Sequence, residues 1–529
     1  MNNSKIKRIT SMLACGLLAA SLLAGCGSGT GSGGSSAASS AASGSSSAAA
    51  TSKHLKVGWH SALKTLDNVS SSSWEPNRLG IVETLTRISP DQKLIPWLAK
   101  SWEHTDDKTW VFHLQDGVKF SNGKACDGEA VKAALMRTAE TSRAKTMLNI
   151  DSIEAKGLDV TIKTKDINAA LPNNLADYIA VIWDVSTVEG ENAIPVGTGP
   201  FAITSWDHNA KMELAANKDY WGGKPKLDTV SVTVIADGNA QAMALDNGEV
   251  DLNFQLPTEN VRQFEGNDKF TINKIVGSRS QIVYFNLKNE FLSDLAVRKA
   301  ITLATDREAL ANVVNKGDSE AATAIFPVSF DFGKVEGIKY NVDEAKKVLA
   351  DAGYKDTDND GILEKNGKPI KLRYITYGAH GSLLPTFAEA MQDALKQIGI
   401  SVEISLNEYA AHTDILKSGD FDLALNSYIM APALDPQYFA DILLRTGADY
   451  NYGKYSNAKV DELVKQLDAE FDTAKRVQLA LDMQKQVVED CAFLTLGHLK
   501  FQVVGNAKVT GYETQGTELY LLTKDTDIK

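Results

Sequence analysis

The segment 342–405 limits the possible folds most, because helix and strand patterns alternate within it. Its four predicted elements are a helix at 342–352, a strand at 370–375, a helix at 383–398 and a strand at 401–405. The first helix ends before Gly353, a typical residue just past a helix C-terminus. Because helix–strand alternation of this kind forms parallel strands covered by helices, the sequence predicts an α/β fold.

Similar patterns recur along the rest of the chain. Strands are predicted at 54–59, 110–114, 160–163 and 230–235, and helices at 127–139 and, as one long helix or a pair, at 295–315. Gly197 and Gly199, followed by Pro200, predict a tight turn in which backbone φ is positive or fixed. No fixed-length repeat occurs, which argues against a solenoid or propeller.

The N-terminus has the features of an export signal. Basic residues precede an apolar run from Met12 to Leu23, which ends in Leu-Ala-Gly-Cys26. As a helix this run would span only about 18 Å, too short for a bilayer core of about 30 Å. The ending resembles the bacterial lipobox, which implies cleavage before Cys26 and lipid attachment to it. The alternative is an ordinary signal peptide with a chance cysteine.

Residues 27–52 are almost entirely Gly, Ser, Ala and Thr. Such a stretch buries too little apolar surface to fold, so it is expected to act as a tether. The expected location is therefore extracytoplasmic, with the folded body anchored through lipid to the bacterial cell membrane.

Charge, length and cysteine content limit the expected partners, the number of structural units and the disulfide pairing. The net charge is −12 and no basic cluster is present, so nucleic acid is not an expected partner. Residues 53–529 are numerous enough for two or three structural units. Cys126 and Cys491 form either one bridge or two free thiols, and their separation favours free thiols.

Six motifs in a fixed order carry a family resemblance. They lie at 96–102 (PWLAKSW), 106–114 (DDKTWVFHL), 117–123 (GVKFSNG), 197–201 (GTGPF), 217–221 (NKDYW) and 248–252 (GEVDL). Over roughly 54–505 the chain resembles the extracytoplasmic solute-binding proteins of the dipeptide, oligopeptide and nickel ABC importer family. The first and third motifs are most similar to those of nickel-type members.

This resemblance implies an α/β, two-lobed periplasmic-binding-protein-like fold with hinge strands and an extra subdomain in the first lobe. The implied divisions are a signal peptide at 1–25, the lipidated cysteine and tether at 26–52, a first lobe at 53–290 with an inserted subdomain at about 96–200, a second lobe at 291–496, and a return to the first lobe at 497–529.

The resemblance also implies a ligand site between the lobes. Its candidate residues are Trp74, Glu75, Arg78, Arg143, Asp177, Tyr377, His380, Tyr428, Met430, Arg445 and Asn451. Trp74 offers a flat apolar face, and the arginines offer bidentate partners for carboxylates. Glu75 and Asp177 are expected to meet a cation or an amine.

The chain departs from both kinds of relative at this site. Of the acidic segment that grips a peptide amine, only Asp435 and Pro436 remain. An arginine of nickel-type members would fall within 178–182 and a histidine near Ala448, and neither is present. The ligand is therefore left open between a metal chelate and a short peptide.

No catalytic motif or cofactor motif occurs in the sequence, so the chain is not expected to be an enzyme. The predicted function is that of a monomeric substrate-binding lipoprotein, which delivers a small-molecule ligand to an ABC permease and its ATPase. The alternatives are a lipid-anchored hydrolase such as a peptidase, and a sensory or chaperone-like protein on the same scaffold.

One loop is a candidate for calcium. Asp356, Asp358 and Asp360 occupy positions 1, 3 and 5 of a calcium-loop pattern, with Gly361 at position 6. Gly367 stands at position 12, where a bidentate Glu is usual. The alternative is a polar turn between helix and strand.

Overall fold

One large mixed sheet runs through the protein in the computed structural model, which describes residues 52–63, 65–69, 73–190, 193–378 and 383–529. Cys26 and His380 lie outside the described residues. Strands of the large sheet are β1 (His54–Trp59), β8 (Phe201–Asp207), β9 (Lys211–Ala216), β10 (Thr229–Val234), β11 (Leu252–Phe254), β12 (Phe270–Phe285), β13 (Ser319–Ala321), β16 (Lys371–Tyr377), β17 (Ser401–Asn407), β18 (Leu423–Ile429) and β19 (Phe493–Asn506). Their order is β17-β16-β18-β12-β19-β11-β1-β10-β9-β8, with β13 paired to β19.

The other strands form smaller sheets. They are β2 (Thr86–Ile88), β3 (Leu94–Pro96), β4 (Ala99–Asp106), β5 (Thr109–Leu114), β6 (Ile150–Lys156), β7 (Asp159–Thr164), β14 (Glu364–Lys365), β15 (Lys368–Pro369), β20 (Val509–Thr510) and β21 (Asp527–Ile528). Strands β4, β5, β7 and β6 make a four-stranded antiparallel sheet, and the remaining strands pair as β2-β3, β14-β15 and β20-β21.

Helices pack against the large sheet and against the four-stranded sheet. They are α1 (Glu75–Arg78), α2 (Gly128–Thr138), α3 (Ser142–Met147), α4 (Leu171–Asn174), α5 (Gly238–Asp246), α6 (Thr258–Val261), α7 (Leu295–Ala304), α8 (Arg307–Ala309), α9 (Val342–Asp351), α10 (Leu383–Lys396), α11 (Tyr409–Ser418), α12 (Gln437–Phe439), α13 (Ala458–Ala469) and α14 (Thr473–Glu489). Across the described ranges, no helix is both long and apolar enough to cross a bilayer.

The side chains pack into separate hydrophobic cores. One contains Val57 and Phe254 beneath the β1 side of the large sheet. A second lies on the β16 side and contains Leu372 and Phe387. The four-stranded sheet and α2 enclose a third core, which is centred on Phe112. The buried apolar surface is thus divided, as in a protein built from lobes.

Strands β12 and β19 connect the first two cores. Val283 and Leu494 belong to the core on the β16 side, while Phe501 belongs to the core beneath β1. The two strands pair antiparallel along most of their length, but their register shifts between Val276 and Ser280. A bulge of this kind bends and twists a strand locally, and it occurs here between the two cores.

The predicted alternation in 342–405 is confirmed. Strand β16 pairs parallel with both β17 and β18, and α9 and α10 precede and follow it. The Asn341 side chain accepts a hydrogen bond from Glu344 N at the start of α9, and Gly353 has φ +87° just past its end. The 295–315 pattern is a helix pair, because α7 ends at Ala304 and a new turn begins at Arg307.

Two further expectations have clear outcomes. Cys126 and Cys491 are free and buried, as favoured. The reason given for Gly197 and Gly199 was wrong, because neither has positive φ. An added Cβ would lie 2.2 Å from Ile81 O at Gly197 and 2.3 Å from Gly80 O at Gly199. These glycines are required by close backbone approach.

Candidate ligand site between the lobes

Side chains of the two lobes meet along one face, here called the interlobe site. It is formed by Trp74, Tyr178, Arg143, Tyr438, Arg279 and Glu518 with the tyrosines around them. Trp74 and Tyr178 stack with ring centroids 4.4 Å apart, and Leu434 packs against the same cluster. Asn173 Nδ2 also donates to Ala433 O at 3.0 Å.

Arg143 is held by residues on both sides of the interlobe site. Its Nε and Nη2 atoms donate to the two carboxylate oxygens of Asp177 at 3.1 and 2.7 Å. Its Nη1 donates to the Tyr438 hydroxyl at 2.9 Å, and its Cζ lies over the rings of Tyr178 and Tyr438. Although burial lowers the pKa of Arg143, the Asp177 carboxylate and the neighbouring phenols raise it well above its usual value. The guanidinium therefore stays charged.

Asp177 is fully buried, and its carboxylate is already occupied. Besides Arg143, it accepts a hydrogen bond from Ile179 N at 3.0 Å and so begins the turn Tyr178–Ala180. This carboxylate holds the Arg143 guanidinium in position, and its contact with a cation or amine of the ligand stays a prediction.

A second charge cluster joins Arg78, Arg279 and Glu518. Arg78 Nε donates to Glu518 O at 2.6 Å, and its Nη2 lies 3.4 Å from the carboxylate. Arg279, on β12, donates from Nε and Nη2 to the two carboxylate oxygens at 3.1 and 3.2 Å. Burial would raise the pKa of Glu518, but the two guanidiniums lower it below its usual value. Two guanidiniums therefore share the one carboxylate of Glu518.

Tyrosines of the second lobe surround this charge. Tyr377 contacts Tyr409 at 5.2 Å between ring centroids, and Tyr428 contacts Tyr450 at 6.1 Å. Tyr409 and Tyr450 are 54% and 40% exposed. Burial lowers the pKa of Arg279, but the Glu518 carboxylate and, to a smaller extent, the phenols of Tyr377 and Tyr409 raise it above its usual value. These tyrosines therefore offer aromatic faces and hydroxyl groups at the interlobe site.

Three predicted site residues have internal partners instead. Met430 is fully buried within the second lobe. Arg445 Nη2 contacts Asp441 at 2.5 Å and Asp468 at 2.6 Å. Asn451 is buried, donates to the carbonyls of Arg445 and Tyr455, and accepts from Tyr455 N. Ligand contact by these three residues stays a prediction.

The remaining predicted residues lie at or beside the interlobe site. Trp74 and Arg78 start and end the same turn of helix, and the Arg78 guanidinium lies 5.1 Å from the Trp74 ring. Glu75 is half-buried and accepts from Ser73 Oγ at 3.0 Å. Tyr377 and Tyr428 both bond the Asn426 side chain. Ligand contact by these residues stays a prediction.

The sequence interpretation missed Arg279, Glu518 and Tyr438. Arg279 lies in a polar stretch of the long strand β12, and a charged residue inside a strand was a usable signal. Glu518 has φ +60°, which is rare for a residue other than glycine, but no local pattern announces it.

The acidic loop brings its three carboxylates together. One oxygen from each of Asp356, Asp358 and Asp360 lies within 4.8 Å of the others, and all three residues are exposed. Gly361 N donates to Asp356 at 3.0 Å, which closes the loop. Calcium binding stays a prediction.

The two-lobed fold and the interlobe site define a solute-binding protein of the periplasmic-binding-protein class. Comparisons with known proteins are consistent with this class. The family model for bacterial extracellular solute-binding proteins, family 5 Middle, matches residues 93–451. The chain is 29% identical over 528 residues to the nickel-binding protein NikA of Staphylococcus aureus, covering 99% of this chain and 100% of the relative.

It is 30% identical over 426 residues to the oligopeptide-binding protein AppA of Bacillus subtilis, covering 76% of this chain and 77% of the relative. The crystal structure of NikA from Staphylococcus aureus in complex with Ni(L-His)2 superposes with a TM-score of 0.74 at 28% identity, covering 90% of this chain and 100% of that chain.

The chain belongs to the bacterial extracellular solute-binding proteins of family 5. Its relatives are substrate-binding proteins of ABC importers, and this is the function of the chain. A hydrolase or a sensory protein is not favoured.

Proposed function

We propose that the interlobe site captures a small metal chelate whose carboxylates face Arg279. The observation that carries the proposal is that Arg78 and Arg279 share the single carboxylate of Glu518. The Arg279 side chain remains 25% exposed beside the tyrosines, so it can pair a carboxylate of the ligand. The nickel–histidine complex of the similar NikA structure is a ligand of this kind.

A bare metal ion fits the site less well. Within the described ranges, the acidic loop is the only group of three or more His, Cys, Asp or Glu residues placed to hold an ion. Arginine and tyrosine are not the usual ligands of nickel, which favours imidazole and similar donors. The metal is therefore expected to arrive with its coordination already supplied by the chelator.

A short peptide is the second candidate. The relative AppA is named an oligopeptide-binding protein, and Arg279 would equally pair a peptide C-terminal carboxylate. An anchor for the peptide amine is harder to assign, because Asp177 pairs with Arg143 and Asp435 pairs with Arg476, which leaves Glu75 alone among the acidic candidates. This favours the chelate.

Thermal-shift and calorimetric titrations of the full-length protein test the proposal. The ligands are NiCl2 alone, L-histidine alone, the two together, and peptides of three to nine residues. Saturation at about 100 times Kd stabilises a protein by about 2.7 kcal/mol, so a clear shift with metal and histidine together is expected. A shift with peptides alone would overturn the chelate in favour of the second candidate.

Two variants locate the binding. Arg279→Gln removes the charge, and it should weaken the chelate by about tenfold or more. Arg262→Gln is the matched control, because Arg262 bonds the Lys316 carbonyl on an exposed surface. Equal affinity in both variants would exclude Arg279 from the site.

The proposal also covers anchoring and assembly. The chain acts as a non-catalytic monomer. Its first lobe, inserted subdomain and second lobe have the boundaries predicted from the sequence. Cys26 carries the lipid. Cys26→Ala should release the protein from the membrane fraction, whereas retention of the variant there would contradict lipidation. A permease and its ATPase are the expected partners. Hinge bending near β12 and β19 is expected to close the lobes on the ligand.

A further inference from the structure

The first lobe contains a cavity that is not lined by the charged residues of the interlobe site. It is a cavity of about 180 Å³ between α1, the β2–β3 hairpin and the C-terminal segment 513–525. An engineered cavity of about 150 Å³ holds benzene, so this one is large enough for a molecule of amino-acid size. Trp97, Tyr220 and Tyr520 supply its aromatic lining, and Asn77, Arg87 and Glu513 supply polar groups.

Polar atoms of two lining residues are buried without partners. Asn77 is 2% exposed, and neither Nδ2 nor Oδ1 has a hydrogen-bond partner among the described residues. Arg87 Nε is in the same situation. Since buried polar groups are nearly always hydrogen-bonded, these three unpartnered atoms of cavity-lining residues point to a bound polar molecule beside them.

Arg87 is fixed in place for such a role. Its Cζ lies 4.4 Å from the Trp97 ring centroid and 4.3 Å from that of Tyr520, so the guanidinium is held between two rings. Its Nη2 donates to Glu513 Oε2 at 2.6 Å. Gln515 Nε2 donates to the same oxygen, and no described hydrogen bond uses Glu513 Oε1.

Glu83, by contrast, is part of the wall. Its Oε1 accepts from Trp97 Nε1 and Tyr220 OH, and its Oε2 accepts from Thr198 Oγ1 and Trp221 Nε1, at 2.6 to 2.8 Å. With both oxygens occupied, Glu83 holds the aromatic lining in position. It leaves recognition to Asn77, Arg87 and Glu513.

We infer that this cavity binds a small zwitterion of amino-acid size. Its carboxylate would accept from Arg87 Nε and Asn77 Nδ2, and its ammonium group would donate to Asn77 Oδ1 and Glu513 Oε1. The lining carries both signs of charge, from Arg87 and Lys524 and from Glu83, Glu513 and Asp525. A molecule with both charges is therefore matched better than a single anion or cation.

Calorimetry on the full-length protein tests the inference without metal. The probes are L-alanine and L-leucine, with propionate and ethylammonium as partial analogues that each lack one charge. One-to-one binding of an amino acid is expected, with each partial analogue weaker by about tenfold or more. If neither amino acid binds at about 10 mM, the inference fails.

Variants separate this cavity from the interlobe site. Asn77→Leu keeps the side-chain volume and removes both polar atoms, so amino-acid affinity should fall about tenfold. Ile95→Trp places bulk at a half-buried lining position opposite Arg87 on the hairpin, and it should abolish binding even if Asn77→Leu folds poorly. Tyr409→Ala alters only the interlobe site and should leave amino-acid affinity unchanged. Loss of affinity in Tyr409→Ala alone would place the amino acid in the interlobe site and overturn the inference.

Discussion

The Arg143 guanidinium donates a 2.9 Å hydrogen bond to the Tyr438 hydroxyl, although the two residues belong to opposite sides of the interlobe site. Tyr438 packs against the cores of both sides. Because the same guanidinium is fixed by Asp177 through two further bonds, the contact is rigid on the Arg143 side. This bond therefore joins the two sides of the interlobe site through the Arg143–Asp177 ion pair.

Tyr438→Phe tests the contribution of that bond to closure. Loss of one hydrogen bond to a charged group should lower the free energy of unfolding by about 1.5–3 kcal/mol at most. If the bond favours the closed form, interlobe ligand affinity falls as well. Urea unfolding and calorimetry provide the two measurements. Tyr340→Phe is the control, because Tyr340 is an exposed tyrosine of the second lobe. Unchanged ligand affinity would show that closure does not depend on the bond.

Arg143→Ala should destabilise the protein itself. The variant leaves the fully buried Asp177 carboxylate without its main partner, and breaking a buried ion pair in this way costs about 3–5 kcal/mol. The double variant Arg143→Ala/Asp177→Asn removes the stranded charge and should recover part of the loss. Chemical denaturation of the single and double variants measures the difference. No recovery in the double variant would mean that the loss does not come from stranding the Asp177 carboxylate.

The sequence alone predicted the local elements well. The start of α2 depends on Asp127, whose side chain accepts from Ala130 N, and such capping involves residues only three apart. The pairing of Arg279 with Glu518 joins residues 239 positions apart, and no spacing rule relates them. Gly197 and Gly199 show the same limit, because their reason is contact with the backbone at 80–82.

The interlobe site was predicted only in part for the same reason. The resemblance indicated Trp74, Arg78 and Arg143, and the structure places these three at the interlobe site. It could not indicate that Asp177 would pair with Arg143 or that Asn451 would be enclosed by its own loop. Whether a polar side chain faces ligand or fold is decided by tertiary partners, which one sequence does not contain.

Glu518→Gln should weaken the join between β12 and the first lobe. The carboxylate is shared by the buried Arg78 and the half-buried Arg279, so its neutralisation leaves both guanidiniums with weaker partners and costs about 2–5 kcal/mol. Because the two arginines lower the pKa of Glu518, its stabilising contribution is complete above the unfolded value of about 4.3 and is lost as pH falls through the folded value. Urea titrations at pH 7 and pH 3 should therefore show a smaller difference between variant and wild type at pH 3. An equal difference at both pH values would contradict the assignment.

His412 supplies a second acid-sensitive group of a different kind. It lies on α11 with no exposed surface, and neither ring nitrogen has a hydrogen-bond partner among the described residues. Burial lowers the pKa of His412 to about 4. The unfolded chain, with a histidine pKa of about 6.5, binds the proton first as pH falls. The folded protein should therefore lose up to about 3 kcal/mol of stability from this group between pH 6.5 and pH 4.

His412→Phe isolates this effect, because the ring that contacts Tyr377 at 4.8 Å is replaced by one that does not titrate. The stability difference between variant and wild type should move in favour of the variant as pH falls from 6.5 to 4. Other groups act in the opposite direction: burial raises the pKa of Asp441 and Asp468, whose contribution favours the folded state at low pH. Comparing variant with wild type removes these shared contributions. His54→Gln, at an exposed position on β1, is the control for the removal of a histidine. A His412→Phe curve parallel to that of wild type would show that the histidine is not held neutral by the fold.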